Sequence, residues 1–439
     1  MTVLELFSTL WLNLIGQPEV LKIQDPVGIS RRISEPWTVL ITTSDPVAAK
    51  IVQNYVKTAQ ARGLSVNEQG VWLQSGMFLL ASHQGQASLP AASLTKVATS
   101  LAALETWGPN HQFETLFSAT GPVENGVLQG DLVVQGEGDP MFVSEEAIAV
   151  GNALNQLGIR QVTGDLIITG NFLMNFEEEP GKSGNLLKQA LNSPQWSADM
   201  AAQYAQLNPG TPKPQVLIAG QVRSAPVLPA QLLLRHQSLP LWNLIKRMNV
   251  YSNNVMSEQL SQLMGGAEAT AQKAARLAGI SAAEIRLANG SGLGVENQIS
   301  PHAVTAMFAT IQRYASQHNL TVADLFPIAG LDQGTIEDRR IPAAAVVKTG
   351  TLNDVSALAG ALPTRDRGLV LFTIINRGTD LDGLRASQDI LLQQLQQAWG
   401  TPTQRPGEII PMAQAPQDLI SLGAMSRNQV AVAARSAAP

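Results

Sequence analysis

The chain has 439 residues, of which 45% are hydrophobic and 14% charged, with a formal net charge of -5. This is a globular composition with room for two or three domains, and it lacks the basic stripe that a main partner of nucleic acid would need. Without cysteine there is no disulfide, thiolate zinc site or catalytic thiol, and the five histidines are scattered without ligand spacing, so neither a metal nor another cofactor is expected.

The N-terminal segment, residues 1–34, carries a mostly apolar stretch from Leu6 to Gly16, about the length of a signal-peptide core. No lysine or arginine precedes it and Glu5 is acidic, so it does not read as a secretory signal. No segment approaches the roughly 20 apolar residues of a spanning helix, which limits membrane association to a peripheral one. Pro36 to Thr43 reads as a strand. Ser44, Asp45 and Pro46 then form a helix-start signal, and Val47, Ile51, Val52, Tyr55 and Val56 give one apolar face to a helix ending near Gly63. Val71 to Ser82 reads as one or two strands. From Leu94 the pattern is helical, with Val97, Leu101 and Leu104 on one face, and it stops near Gly108 and Pro109.

Phe113 to about Val227 is rich in glycine and β-branched residues. Gly130-Asp131-Leu132-Val133-Val134 is echoed by Gly164-Asp165-Leu166-Ile167-Ile168, each copy a turn followed by a buried strand, with a helical stretch from Glu145 to Leu157 between them. A β-rich domain inserted over residues 113–227 is expected. Within it, Asn175 to Pro214 reads as loop-rich, Glu177, Glu178 and Glu179 as a solvated loop, and Asp131 and Asp139 as turn residues. Helical patterns return over Leu239 to Met264, Ala267 to Ala278 and Pro301 to Gln317. Strands follow at Ala343 to Thr351, Val355 to Leu362 and Leu369 to Ile375, then an amphipathic helix from about Leu381 to Trp399. Residues 401–439, rich in Pro, Ala and Gln, read as a disordered tail. The elements imply an α/β architecture of the α+β type: an antiparallel sheet with helices from both ends of the fold on its faces, a helical lobe, and the β-rich insertion.

Three motifs occur in order: Ser93-Leu94-Thr95-Lys96, Ser252-Asn253-Asn254 and Lys348-Thr349-Gly350. A serine hydroxyl is a weak nucleophile and needs a base within hydrogen-bond reach. Positions i and i+3 share a helix face, so Lys96 faces Ser93. Lysine serves as a base only when its pKa is lowered, which burial and a neighbouring cation such as Lys348 accomplish. The helix start adds backbone N–H groups for a developing oxyanion. Each motif alone is weak. Ser-x-Asn also occurs at Ser65, Ser183 and Ser426, but only the copy at Ser252 lies in the helical lobe between the other two motifs. Lys348-Thr349-Gly350 closes an apolar strand, the most informative context of the three.

This ordered set is one found in class A β-lactamases and penicillin-binding proteins. The longer segments Leu89 to Lys96, His236 to Leu241, Asn249 to Asn254, Asn289-Gly290-Ser291-Gly292-Leu293 and Val347 to Leu352 resemble the D-alanyl-D-alanine carboxypeptidase/endopeptidase family, the class C low-molecular-mass penicillin-binding proteins, over roughly residues 35 to 400. The resemblance implies a penicillin-binding, β-lactamase-like transpeptidase fold, with a catalytic domain over residues 35–112 and 228–400. It implies Ser93 as nucleophile, Lys96 as its base, Ser252 as proton relay to the leaving amine and Asn254 as an orienting group for the substrate amide. Lys348 would set the local potential and help hold the substrate's terminal carboxylate. Thr349 and Thr351, flanking Gly350, would bind the substrate carboxylate, and the N–H groups of Ser93 and Thr351 would form the oxyanion hole. It further implies peptidoglycan peptides as substrates, β-lactams as covalent inhibitors and a periplasmic or cell-envelope location. Asn289 stands where relatives usually have Asp, and Gly294 where Ser is common. A β-lactamase or esterase on the same scaffold, and an inactive wall-binding scaffold, are the alternatives. The first lacks a family-typical Glu motif for deacylation, and the second would have announced itself by loss of Ser93, Lys96 or Lys348.

Overall fold

The computed structural model describes residues 41, 42, 45–227 and 229–431. The N-terminal segment 1–34 and most of the strand expected at Pro36 to Thr43 lie outside these; Ile41–Thr42 is extended. Helix α1 (Pro46–Ala61) begins where the capping signal placed it: the Asp45 carboxylate accepts the N–H groups of Val47 and Ala48, and Pro46 sits in the first turn, where its missing N–H costs nothing. Strands β1 (Gln69–Ser75) and β2 (Phe78–His83) follow, then helix α2 (Thr95–Trp107), in which every residue from Thr95 to Leu104 is buried.

The insertion comprises β3 (Glu114–Ala119), β4 (Val127–Leu128), β5 (Leu132–Glu137), α3 (Ser144–Gln156), β6 (Gln161–Val162), β7 (Leu166–Asn171), α4 (Pro180–Ala190), α5 (Ala198–Tyr204), β8 (Leu217–Ile218), β9 (Val222–Ser224) and β10 (Gln231–Gln237). The echoed Gly-Asp segments stack as parallel neighbours, Leu132 beside Leu166 and Val134 beside Ile168. A third copy, at Gly220-Gln221-Val222, continues the stack. Each aspartate ties its turn to the next: Asp131 Oδ1 accepts the Asp165 N–H and Asp165 Oδ1 accepts the Gln221 N–H, both at 2.7 Å.

Two expectations for this region change. Asn175 to Pro214 holds helices α4 and α5; Glu179 is the cap of α4, its carboxylate accepting the N–H groups of Gly181 and Lys182. The insertion also extends past residue 227, because β10 pairs antiparallel with β3 along Gln231 to Gln237.

The chain then enters the helical lobe: α6 (Leu241–Tyr251), α7 (Asn254–Leu263), α8 (Gly266–Ala278) and α9 (Pro301–Gln317). It returns through β11 (Val346–Leu352), β12 (Val355–Thr364), β13 (Gly368–Arg377) and α10 (Leu381–Trp399). The central sheet runs β2–β1–β13–β12–β11, every pair antiparallel. Successive side chains of a strand point to opposite faces, and both faces here are apolar. Val347, Leu358, Phe372 and Ile374 pack with Ala48 and Val52 of α1 and Leu391, Leu392 and Trp399 of α10. Val346, Ala357, Ala359, Leu371 and Ile375 pack with α2, α6, α8 and α9. Helices from the two ends of the fold thus pack on the sheet, as the sequence implies, and the structure puts both on one face.

Residues 401–431 are not a disordered tail. Ile409 is fully buried, the Asp324 carboxylate accepts the N–H groups of Met412 and Ala413, and Thr321 Oγ1 donates to the Ile410 carbonyl. Further on, β14 (Asn428–Val430) adds a strand beside β10. The Arg427 guanidinium, wholly buried, donates to both Glu146 oxygens at 2.6 and 2.9 Å and to the Ser421 and Gln237 carbonyls. The segment is held by backbone polar groups, one buried ion pair and scattered apolar contacts such as Ile409, Ile420 and Leu422 rather than by a periodic apolar face, so its composition reads as disordered. Residues 432–439 lie outside the described region.

Candidate active site

Ser93 sits in a 3-10 turn, Ala92–Leu94, that leads directly into α2. The turn is tight: Ala92 has φ +48°, a left-handed conformation costly for a residue with a Cβ. Two glycines allow the surroundings to close on it. A Cβ at Gly350 would lie 2.9 Å from the Ala91 carbonyl oxygen and 3.1 Å from the Ser93 nitrogen. At Gly292, with φ +85°, a Cβ would collide with the Ala92 carbonyl oxygen. Strand β11 and the Gly290–Leu293 loop therefore press against the serine from two sides.

One turn into the helix, Lys96 has no exposed surface. Its Nζ lies 3.0 Å from Ser93 Oγ, 2.8 Å from Asn254 Oδ1 and 2.8 Å from the Ser291 carbonyl oxygen. Burial pulls its pKa down to about 7, opposed in part by the negative charge of Glu258. Asn254 Oδ1 and the Ser291 carbonyl can only accept hydrogen bonds. When the amine is neutral, its two N–H bonds satisfy those acceptors and its lone pair is left directed at the Ser93 hydroxyl.

A second Ser–Lys pair faces the first. Lys348 Nζ donates to Ser252 Oγ at 2.9 Å and to the Thr349 carbonyl oxygen at 2.7 Å. Lys348 is fully buried; burial, and then the charge of Lys96, hold its pKa well below the ordinary lysine range. Ser252 occupies the break between α6 and α7 with φ +53°, and Asn253 caps α7 by accepting the Met256 N–H. The single helix expected over Leu239 to Met264 is thus two helices, and the strained residue at their junction carries the hydroxyl.

All three motifs converge. Ser93, Ser252, Thr349 and Thr351 line one cavity of about 720 Å³. Thr349 Oγ1 donates to Thr335 Oγ1 at 2.8 Å, and Thr351 Oγ1 accepts from Arg385 Nη2 at 3.2 Å. Asn289 accepts the Gly292 N–H and the Ser291 hydroxyl through Oδ1 and donates to the Leu293 carbonyl through Nδ2.

Sequence reading missed Glu258, whose two oxygens accept the N–H groups of Gly290 and Ser291 at 3.0 Å each and so aim the Ser291 carbonyl at Lys96. Its one legible signal is its place four residues after Asn254, on the same face of α7. Arg385 and Thr335 carried no signal at all.

An antiparallel sheet between helical layers, a serine–lysine pair at a helix start and a second pair facing it are the features of penicillin-binding, β-lactamase-like serine acyl-transfer proteins. Comparison with known proteins agrees. The D-Ala-D-Ala carboxypeptidase 3 (S13) family matches residues 52–214 and 197–398. The chain belongs to that family and is a serine-type D-Ala-D-Ala peptidase. It is 25% identical over 393 residues to the D-alanyl-D-alanine carboxypeptidase DacB of Haemophilus influenzae, covering 66% of this chain and 80% of the relative. Among solved structures, the Bd0816 predatory endopeptidase of Bdellovibrio bacteriovorus superposes with a TM-score of 0.65 at 22% identity, over 80% of this chain and 98% of that one. The penicillin G-acylated Bd3459 predatory endopeptidase of the same organism gives a TM-score of 0.68 at 20% identity, over 84% and 100%. Both solved structures share the fold.

Proposed function

We propose that Ser93 is the nucleophile of a DD-peptidase acting on peptidoglycan stem peptides, as carboxypeptidase, endopeptidase or both. The observation that carries this reading is the Lys96 amine, buried and 3.0 Å from Ser93 Oγ, with its other two contacts on obligate acceptors. Neutral Lys96 takes the Ser93 proton as Oγ bonds to the penultimate D-Ala carbonyl carbon. The N–H groups of Ser93 and Thr351 receive the oxyanion. The peptide C–N bond breaks as Ser252, supported by Lys348, passes a proton to the leaving amine, and Asn254 orients the acyl amide. The proton gained by Lys96 replaces the one that the Ser252–Lys348 pair gave up. The neutral Lys96 then takes a proton from water as the water oxygen bonds to the acyl carbon, and returns it to Ser93 Oγ as the ester C–O bond breaks.

β-Lactams follow the first half of this path, with the ring C–N bond opening in place of the peptide bond. Their slow release is consistent with Glu258 being held by two backbone N–H groups rather than positioned to activate water. A peptidoglycan substrate assigns the protein to the cell envelope, in the periplasm. Among the described residues no helix is long and apolar enough to cross a membrane. The domain division follows the chain path: a catalytic domain of two segments, interrupted by the β-rich insertion.

The test is intact mass after incubation with benzylpenicillin. The wild type gains one drug mass, mapped to the Ser93 peptide, and Ser93→Ala gains none. An adduct on Ser93→Ala, or none on the wild type, overturns the assignment. Monomeric and cross-linked muropeptides then separate the two peptidase activities.

A further inference from the structure

The cavity beside Ser93 needs a cation wherever a substrate ends in a carboxylate, and Lys348 is poorly placed to be that cation. It has no exposed surface, and its ammonium is hydrogen-bonded to Ser252 Oγ and the Thr349 carbonyl. Arg339 is also occupied: its guanidinium grips the Asp389 carboxylate at 2.7 to 3.2 Å and reaches Gln388 Oε1. Arg385 differs. It rises from the first turns of α10 into the same cavity wall as Ser93 and Ser252, and its Nη2 donates to Thr351 Oγ1 on the strand edge. Among the described residues its one ion pair is with Asp382, a side chain 94% exposed, and such pairs contribute little in water. A guanidinium with a planar donor fork suits a carboxylate bound in two-point fashion.

We infer that Arg385 is a specificity-determining residue, which together with the Thr351 hydroxyl receives the terminal carboxylate of the substrate, and that cleavage of peptides ending in a free carboxylate depends on it. The inference rests on the reading of Ser93 as nucleophile. Thr351 Oγ1 accepts from Arg385 and can donate its own O–H to the carboxylate, while Arg385 keeps its place over both.

The experiment compares wild type, Arg385→Gln and Arg385→Lys on two acyl-D-Ala-D-Ala peptides, one ending in a carboxylate and one in a carboxamide. Wild type should prefer the carboxylate. In Arg385→Gln, kcat/KM for the carboxylate peptide should fall about tenfold, mainly through KM, as expected for one charge-assisted hydrogen bond to a part-exposed partner. The value for the carboxamide should stay within about twofold, and Arg385→Lys should recover part of the preference. Equal losses on both peptides, or no loss on either, overturn the role of Arg385 while leaving a Ser93 penicillin adduct intact. Absence of both turnover and adduct in the wild type overturns this inference and the proposed nucleophile together.

Discussion

The buried position of Lys96 makes a quantitative demand on how acylation varies with pH. An ordinary lysine titrates near 10.5, whereas burial holds Lys96 at about 7. At pH 7 about half of the molecules carry the neutral amine, against roughly one in 3,000 for an unperturbed lysine, so burial raises the competent fraction by ~10³. The neutral form is the base, so the rate rises with pH. The second-order rate constant for acylation by benzylpenicillin, followed by stopped flow between about pH 5 and 9, should climb close to tenfold per unit on the acid side, reach half its maximum near 7 and level off above about 8. Glu258 opposes the shift, so Glu258→Gln should move the midpoint to lower pH. It should also lower the plateau, because the Gly290 and Ser291 N–H groups lose a charged acceptor. A wild-type profile flat from pH 6 to 8, or with its midpoint near the ordinary lysine value, would refute the role given to Lys96, as would a Glu258→Gln midpoint displaced upward.

Arg427→Met removes one partner of an ion pair that is 0% and 1% exposed. It should cost about 3–5 kcal/mol in urea unfolding, with much of that recovered when Glu146→Leu is added, because the single variant strands a buried charge. Gly292→Ala, at a left-handed φ with the Ala92 carbonyl in the way, should lower the melting temperature by several degrees and also slow penicillin acylation at temperatures where the variant is still folded. Asp139 is buried, and desolvation pushes its carboxyl up to about 7. The folded state therefore binds more protons than the unfolded chain between about pH 4 and 7, and stability falls as pH rises through that window. Asp139→Asn should flatten this part of the curve, measured by thermal unfolding at a series of pH values.

The parts of the molecule legible in the sequence are those whose cause is local. Asp45 and Pro46 specify a helix start by capping chemistry. The strands from Val346 onward announce themselves because both faces of the sheet are covered and most positions take an apolar residue. The break at Ser252 was hidden for the opposite reason. Met248 before it and Met256 and Leu260 after it all enter the same core, so the apolar spacing runs on unbroken while the backbone turns. The third copy of the Gly-Asp repeat was masked because its acidic residue is absent: Gln221 begins the last rung, with no following N–H for an aspartate to accept. Glu258, Arg385 and the 401–431 segment act through partners far away in the chain, Arg427 and Glu146 being 281 residues apart, and no local pattern records such pairings.

The two lysines show why the site needs three separated motifs and not one. A base and a proton relay must differ in protonation at the same pH, yet both here are lysine–serine pairs in low-dielectric surroundings. What separates them is the set of acceptors. Lys96 meets two side-on carbonyl-type oxygens that remain acceptors in every state, so losing its proton points a lone pair at Ser93. Lys348 meets one such oxygen and a hydroxyl, and a hydroxyl can donate or accept. In the proposed mechanism the Ser252–Lys348 pair can therefore exchange donor and acceptor roles as a proton passes through to the leaving amine, whereas the Ser93–Lys96 pair is biased toward withdrawal. Converting Asn254 to Asp would erase that asymmetry by placing a full negative charge 2.8 Å from Lys96 Nζ. The amine would be held protonated, and acylation at pH 7 should fall by at least tenfold, recovering as pH is raised toward 9. A loss that stayed constant across that range would show that Asn254 acts on the substrate alone and not on the base.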